Sequence, residues 1–364
     1  MRITQLDCEL LRVPLGRPIT GPDDPRGPID HVFLLIAYVD TDAGHRGLGI
    51  AWALQGGRAL KTVVADDIAP LVIGEDPLDH EKLAALVARR LYSIGRSGLV
   101  AQAYSAVDVA LWDLKGKVAG LPLYKLLGGA RESAPAYGAD LWLWMSAEEI
   151  IEASRAYLDQ GLTGIKLKVG HPNPEIDAEK VTRVREALGE DIWLAVDANQ
   201  RYDFGTALSM GHFFEEEIGA DWFEEPIPCD DVDGHARLID KLEIPIALGE
   251  SLFTINEFHE YLRRGCVDVL QPDVTHVGGL TAWLKVATLA EVYHKPLAPH
   301  LMPEVAVHLA CGLPQVRMVE YLPWLYPAYV DPPAIVSGQI EPPKRPGLGL
   351  EIRDDAVTKY RVDV

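Results

Sequence analysis

Six polar residues each end a short apolar run. Leu194-Ala195-Val196 leads into Asp197, Asp221-Trp222-Phe223 into Glu224, and Ile246-Ala247-Leu248-Gly249 into Glu250. Asp273, His300 and Glu320 end three further runs, and the six residues are 27, 26, 23, 27 and 20 positions apart. A parallel strand buried on both faces reads as a short apolar run, and its carboxyl end opens onto the mouth of the sheet. Any one of these acids alone is an ordinary strand end or helix cap. Repeated at the length of one βα unit, they converge on one face of a closed barrel.

The residue types define a chemistry. Asp197, Glu224 and Glu250 form an all-oxygen donor set, which suits Mg²⁺ better than zinc because no His or Cys joins it. Lys166 and Lys168 alternate on one strand and so share a face. Ile165, Leu167 and Val169 need an apolar outer face, which turns the lysines inward. Mutual repulsion and desolvation are expected to lower both lysine pKa values towards those of usable bases. Asp273 is placed to fix the tautomer of His300 and raise its basicity. Glu320 is placed to hydrogen-bond a substrate carboxylate as a neutral acid, and Asn199 is a neutral donor beside Asp197. A dication with a base on either side suits removal of the proton α to a carboxylate.

The elements that must position these groups can be read in order. Residues 1 to about 56 alternate as strands, with Val32 to Val39 the most apolar, a Pro- and Gly-rich loop at Gly16–Asp30 and a hairpin turn at Asp40–Gly44. Helical stretches at 59–71, 78–91 and 99–119 follow, which predicts an α+β domain over 1–125. From Ala134 strand and helix alternate. Capping boxes at Ser146–Glu149 and Thr254–Glu257 open two of the helices. Strand candidates near 136, 166, 195, 222, 247, 269, 298 and 318 predict a (β/α) barrel over 126–325, with its last helix weak or replaced. A Pro-rich tail, 326–364, is expected to return to the first domain, with strand-like pieces at Ile335–Ile340 and Gly349–Ile352.

Composition narrows the function classes. The chain of 364 residues has 34 basic and 54 acidic side chains, a net charge of −20, which argues against nucleic acid or an anionic membrane as partner. Cys8, Cys229, Cys266 and Cys311 are too scattered for a zinc site or a disulfide frame. No apolar run approaches a membrane span and no secretion signal is legible, so the cytoplasm is the expected compartment. The expected partners are a small carboxylate, a sugar acid, and further copies of the chain in a homo-oligomer.

Lys166-x-Lys168, Asp197-x-Asn199, Glu224-Glu225-Pro226, Gly249-Glu250, the Asp273/His300 pair and Glu320 together resemble the enolase superfamily, mandelate racemase subgroup, over nearly the whole chain. A Lys or His base working beside Mg²⁺ is the known arrangement of that superfamily. The resemblance implies a modified (β/α)7β TIM-type barrel under an N-terminal α+β capping domain completed by the C-terminal tail. It also implies Mg²⁺ on Asp197, Glu224 and Glu250, Lys168 and His300 as opposed acid/base groups, and Lys166 beside the substrate carboxylate. Ile94–Gly98, Gly164–Gly170, Gly234-His235-Ala236 and Leu297–His300 look most like the acid-sugar dehydratases that act on talarate and galactarate. Gly16–Asp30 and Asp140–Trp144 look different, and are read as specificity regions in which the two tryptophans narrow the pocket or form a flat sugar-stacking wall. Arg96 or the 16–30 loop is expected to reach the mouth from the first domain, and Arg96, Trp144 and Asn199 are the candidate substrate-binding residues. The preferred reaction is β-elimination of water. Racemisation or epimerisation of a 2-hydroxy acid, cycloisomerisation of a sugar-acid lactone or anhydro-sugar, and binding of an acid sugar without catalysis are the alternatives.

Overall fold

Strands β1 (Ile3–Pro14), β2 (His31–Thr41) and β3 (Arg46–Ala53) form an antiparallel meander in the order β1-β2-β3. The computed structural model describes residues 1–21, 24 and 27–363. The helix Leu99–Ala119 has the bounds expected, and it is apolar almost all round because it lies between this meander and the barrel. Its approach to β3 is close: a Cβ on Gly49 would sit 1.8 Å from the Ala106 carbonyl oxygen. The stretch expected to be one helix at 59–71 is instead two short α-helices, Gly57–Thr62 and Ala69–Val72, joined by a π-helical turn.

The second body is a parallel barrel. Its strands are β4 (Ala134–Gly138), β5 (Gly164–Lys168), β6 (Trp193–Asp197), β7 (Trp222–Glu224), β8 (Ile246–Leu248), β9 (Val269–Leu270) and β10 (Val319–Tyr321). Neighbours pair in sequence order from β4 to β9, and β10 pairs back onto β4. Between β9 and β10 the ring is completed by single bridges, Leu270 to Leu297, Asp273 to His300 and Leu297 to Val316. Apart from residues at their amino ends, the strands are buried because helices cover their outer faces. Both expected capping boxes are formed, on Ser146 and on Thr254.

The tail differs from expectation in its first part. β11 (Ile335–Val336) and β12 (Gln339–Ile340) form a hairpin whose second strand pairs with Ala134 and Pro135, at the amino end of β4. Ile340 is fully buried there, so the barrel floor, not the first domain, takes this apolar pair. Gly349–Ile352 makes only one bridge, Ile352 to Tyr329. Just before it, Gly347 bridges Pro122, and near the end of the tail the Val362 amide donates to the Leu10 carbonyl at 2.8 Å.

Asp113 joins these parts. Its carboxylate accepts from the Leu48 amide at 2.7 Å and the Leu348 amide at 2.8 Å, and pairs with Lys117 at 2.6 Å. Asp113→Ala strands both buried amides, at a cost on the order of 1–3 kcal/mol each. A marked fall in the denaturation midpoint is expected, and an unchanged midpoint would remove Asp113 as the link between β3 and the tail.

Candidate active site

The ends of β5, β6, β7 and β8 bring their polar residues to one place. Carboxylate oxygens of Asp197, Glu224 and Glu250 lie within 4.8 Å of one another, with Asp197 and Glu224 buried and Glu250 partly so. One buried oxygen of Glu250, Oε2, has no hydrogen-bond partner among the described residues; it lies 3.2 Å from His300 Nε2 but off the line of a bond. Three crowded carboxylates with an unbonded oxygen fit a hard dication, and Mg²⁺ in particular. Burial, then Asp197, pushes Glu224 well above the usual carboxylate range.

Lys166 is fully buried. Its Nζ lies 2.6 Å from Glu224 Oε1, 2.9 Å from Glu320 Oε1 and 3.3 Å from Asp197 Oδ2. Lys168 bonds Asp197 Oδ2. The expectation of lowered lysine pKa values is corrected. Burial is the largest single pull and acts downward on both. The acids around Lys166, led by Glu224 and Glu320, and those around Lys168, led by Asp197 with Glu250 and Glu224, together outweigh it, and the net is upward. A dication on the same carboxylates would oppose that pull. The expectation of a neutral Glu320 is corrected too. Burial raises its carboxyl, Lys166 and His300 lower it further, and it is held below its usual value.

His300 stands across the mouth from Lys168. Its Nδ1 donates to Asp273 Oδ2 at 2.8 Å, and its Nε2 turns towards the carboxylate cluster. Burial lowers its pKa, but Glu250 and the bond to Asp273 raise it to about 10. Asp273 is fully buried and below its usual value despite that burial, because His276 and His300 face it. Around the ring, Lys168 therefore stands on one flank of the three carboxylates and His300 on the other.

The candidate substrate contacts are rearranged. Asn199 donates from Nδ2 to Glu250 Oε1 at 3.2 Å and from its backbone to Asp197 Oδ1 at 2.8 Å, so it ties two carboxylates together. Trp144 is 36 % exposed and donates to the Pro18 carbonyl at 3.2 Å, so it packs on the 16–30 loop rather than on the reacting groups. Trp142 takes the inner place, with Lys168 Nζ 5.9 Å from its ring centre. Arg96 is exposed and lines a cavity with Tyr104, Val277 and Lys285, apart from the carboxylates. From the loop, Arg17 reaches Met145 Sδ at 3.5 Å. Pro22, Asp23, Pro25 and Arg26 of that loop lie outside the described residues.

Comparison with known proteins decides the family. Residues 149–356 match the enolase C-terminal domain-like model, and residues 26–128 match the N-terminal domain model of mandelate racemase/muconate lactonizing enzyme. The chain belongs to the mandelate racemase/muconate lactonizing enzyme family of the enolase superfamily. It is 36 % identical over 359 residues to the L-talarate/galactarate dehydratase of Salmonella typhimurium, covering 98 % of this chain and 90 % of that one. It is 33 % identical over 350 residues to the 3,6-anhydro-α-L-galactonate cycloisomerase of Streptomyces coelicolor, covering 96 % of each. The crystal structure of L-talarate dehydratase from Polaromonas sp. JS666, complexed with Mg and L-glucarate, superposes with a TM-score of 0.94 at 40 % identity, covering 100 % of this chain and 98 % of that one.

Several residues that shape the site are not among the candidates named from the sequence. Trp52, at the end of β3 in the first domain, donates from Nε1 to Asp273 Oδ2 at 3.0 Å. Gln271 donates to Glu224 Oε2 at 2.6 Å. Its place two residues before Asp273, on the inward face of the same run, was a usable signal. Gln200 ties Glu225 Oε2 at 3.0 Å to Ser251 Oγ at 2.7 Å, and burial, then Glu250, pushes Glu225 up to about 8. Among the described residues no helix is long and apolar enough to cross a membrane.

Proposed function

We propose that this chain is a Mg²⁺-dependent sugar-acid dehydratase that forms a 2-keto-3-deoxy acid. Asp197, Glu224 and Glu250 would hold Mg²⁺, which would stabilise the negative charge that develops on the substrate carboxylate. Lys166 balances charge beside that carboxylate. Lys168 or His300 takes the α-proton. The C–O bond to the β-hydroxyl then breaks, His300 supplies the proton that lets the oxygen leave as water, and the resulting enol tautomerises to the keto acid. Asp273 holds His300 with Nδ1 protonated and Nε2 facing the mouth. The observation that carries this reading is the placement of two different acid/base groups on opposite flanks of one carboxylate cluster.

Isomerisation is the second reading, favoured by the cycloisomerase relative at nearly the same identity as the dehydratase. The two relatives also differ in what they are named for, a dicarboxylate in one case and a ring-closed monocarboxylate in the other. Incubation of a library of acid sugars with Mg²⁺, followed by chromatography coupled to mass spectrometry so that a new species is seen even at unchanged mass, separates the outcomes. Loss of one water is expected. A product of unchanged mass would identify an isomerase, and no turnover at all would leave a binding protein.

A further inference from the structure

Three indoles form a continuous arc whose two ends meet Lys168 and His300. Trp142 follows β4, Trp324 follows β10, and Trp52 comes from the first domain. The Trp142 and Trp324 rings stack, with centres 5.7 Å apart and an angle of 26°. Trp324 meets Trp52 edge-on at 6.4 Å, and Trp52 meets the His300 ring at 5.9 Å. With Lys168 over Trp142 at the other end, the arc runs from one acid/base group to the other. Trp142 and Trp52 are buried and Trp324 is half-buried.

The polar edges of these rings are occupied. Trp142 Nε1 donates to Asp140 Oδ1 at 2.7 Å, and the Trp324 indole is within reach of the same carboxylate. Trp52 Nε1 is held by Asp273. Along this arc a bound acid therefore meets mostly ring hydrocarbon, and the Trp142 and Trp52 indole donors are already taken. Behind that hydrocarbon stand two carboxyl groups, the fully buried Asp273 and the half-buried Asp140. Arg17 approaches from the first-domain loop, and its charge is answered by Asp140 and Glu149. A second carboxylate on the substrate would be desolvated against an apolar wall backed by acids. A sugar C–H face would pack on it well.

We infer that Trp142, Trp324 and Trp52 select a monocarboxylic sugar acid whose far end is uncharged and presents a C–H face, over a dicarboxylic one. Asp140 is the positioning residue that sets the two stacked rings. This specificity rests on the α-proton chemistry proposed above.

The test compares aldonates and aldarates of matched length and all configurations, with full-length protein and Mg²⁺, reading both turnover and α-proton exchange in D₂O. The best aldonate should exceed the best aldarate in kcat/KM on the order of a hundredfold. Trp324→Ala should raise KM for the aldonate about tenfold, affect kcat less, and shrink the preference. Trp324→Phe keeps an aromatic face and should retain most of it. An aldarate used as well as any aldonate, or a preference that survives Trp324→Ala intact, overturns the wall alone. Absence of exchange and turnover with every acid overturns the proposed chemistry, and the wall with it.

Discussion

His300→Asn is expected to abolish formation of the keto acid, with a loss of at least the ~10²–10⁴-fold that one general acid typically supplies. His300 is the group that faces the carboxylate cluster from the flank opposite Lys168, and Asp273 behind it fixes which nitrogen faces the substrate. An asparagine amide can still donate to Asp273, so the buried carboxylate keeps a partner and the fold is expected to survive. The check is the rate of keto-acid formation by the variant against unmodified protein, with circular dichroism to confirm folding. Near-normal dehydration by a folded His300→Asn protein would remove His300 as the acid for the leaving hydroxyl.

Loss of a proposed metal ligand should be as severe and should act by a different route. Glu250→Ala removes one of the three carboxylates and is expected to lower kcat/KM on the order of 10³-fold or more, since a Lewis acid at this position supplies several kcal/mol to the transition state. Stability should not suffer. The three acids are crowded, Glu224 is already driven towards its neutral form by burial and by Asp197, and removing one charge relieves the cluster. Thermal melting with and without Mg²⁺ gives an independent readout. Unmodified protein should melt higher with the ion, and the Glu250→Ala protein should show little change. Full activity after exhaustive chelation would exclude the metal role outright.

The ring of strand ends was legible because a strand buried on both faces leaves a plain trace, a few apolar residues and then a polar one, repeated at one βα length. Asp197, Glu224, Glu250, Asp273, His300 and Glu320 all follow that rule. The charge states were not legible. Lys166 and Lys168 are two residues apart, so their repulsion is local, whereas the acids that outweigh it arrive from Glu224 and Glu320 through barrel closure. Trp52 was invisible for the same reason. It is an unremarkable apolar residue at the end of β3, and its bond to Asp273 spans 221 positions. Trp144 and Trp142 were indistinguishable by type, and which indole turns inward depends on Asp140 and on the Pro18 carbonyl. The β11–β12 hairpin is too short for its pattern to say which edge it joins.

Proton NMR of the α-position in D₂O, run on Lys168→Ala and His300→Asn proteins with Mg²⁺, tests most directly whether two bases flank one bound acid. Each variant keeps a single base. Lys168→Ala should exchange the α-proton only of acids with one configuration at that carbon, and His300→Asn only of acids with the opposite one. Exchange of the same configuration by both variants, or by neither, would contradict the placement of Lys168 and His300 on opposite faces of the substrate.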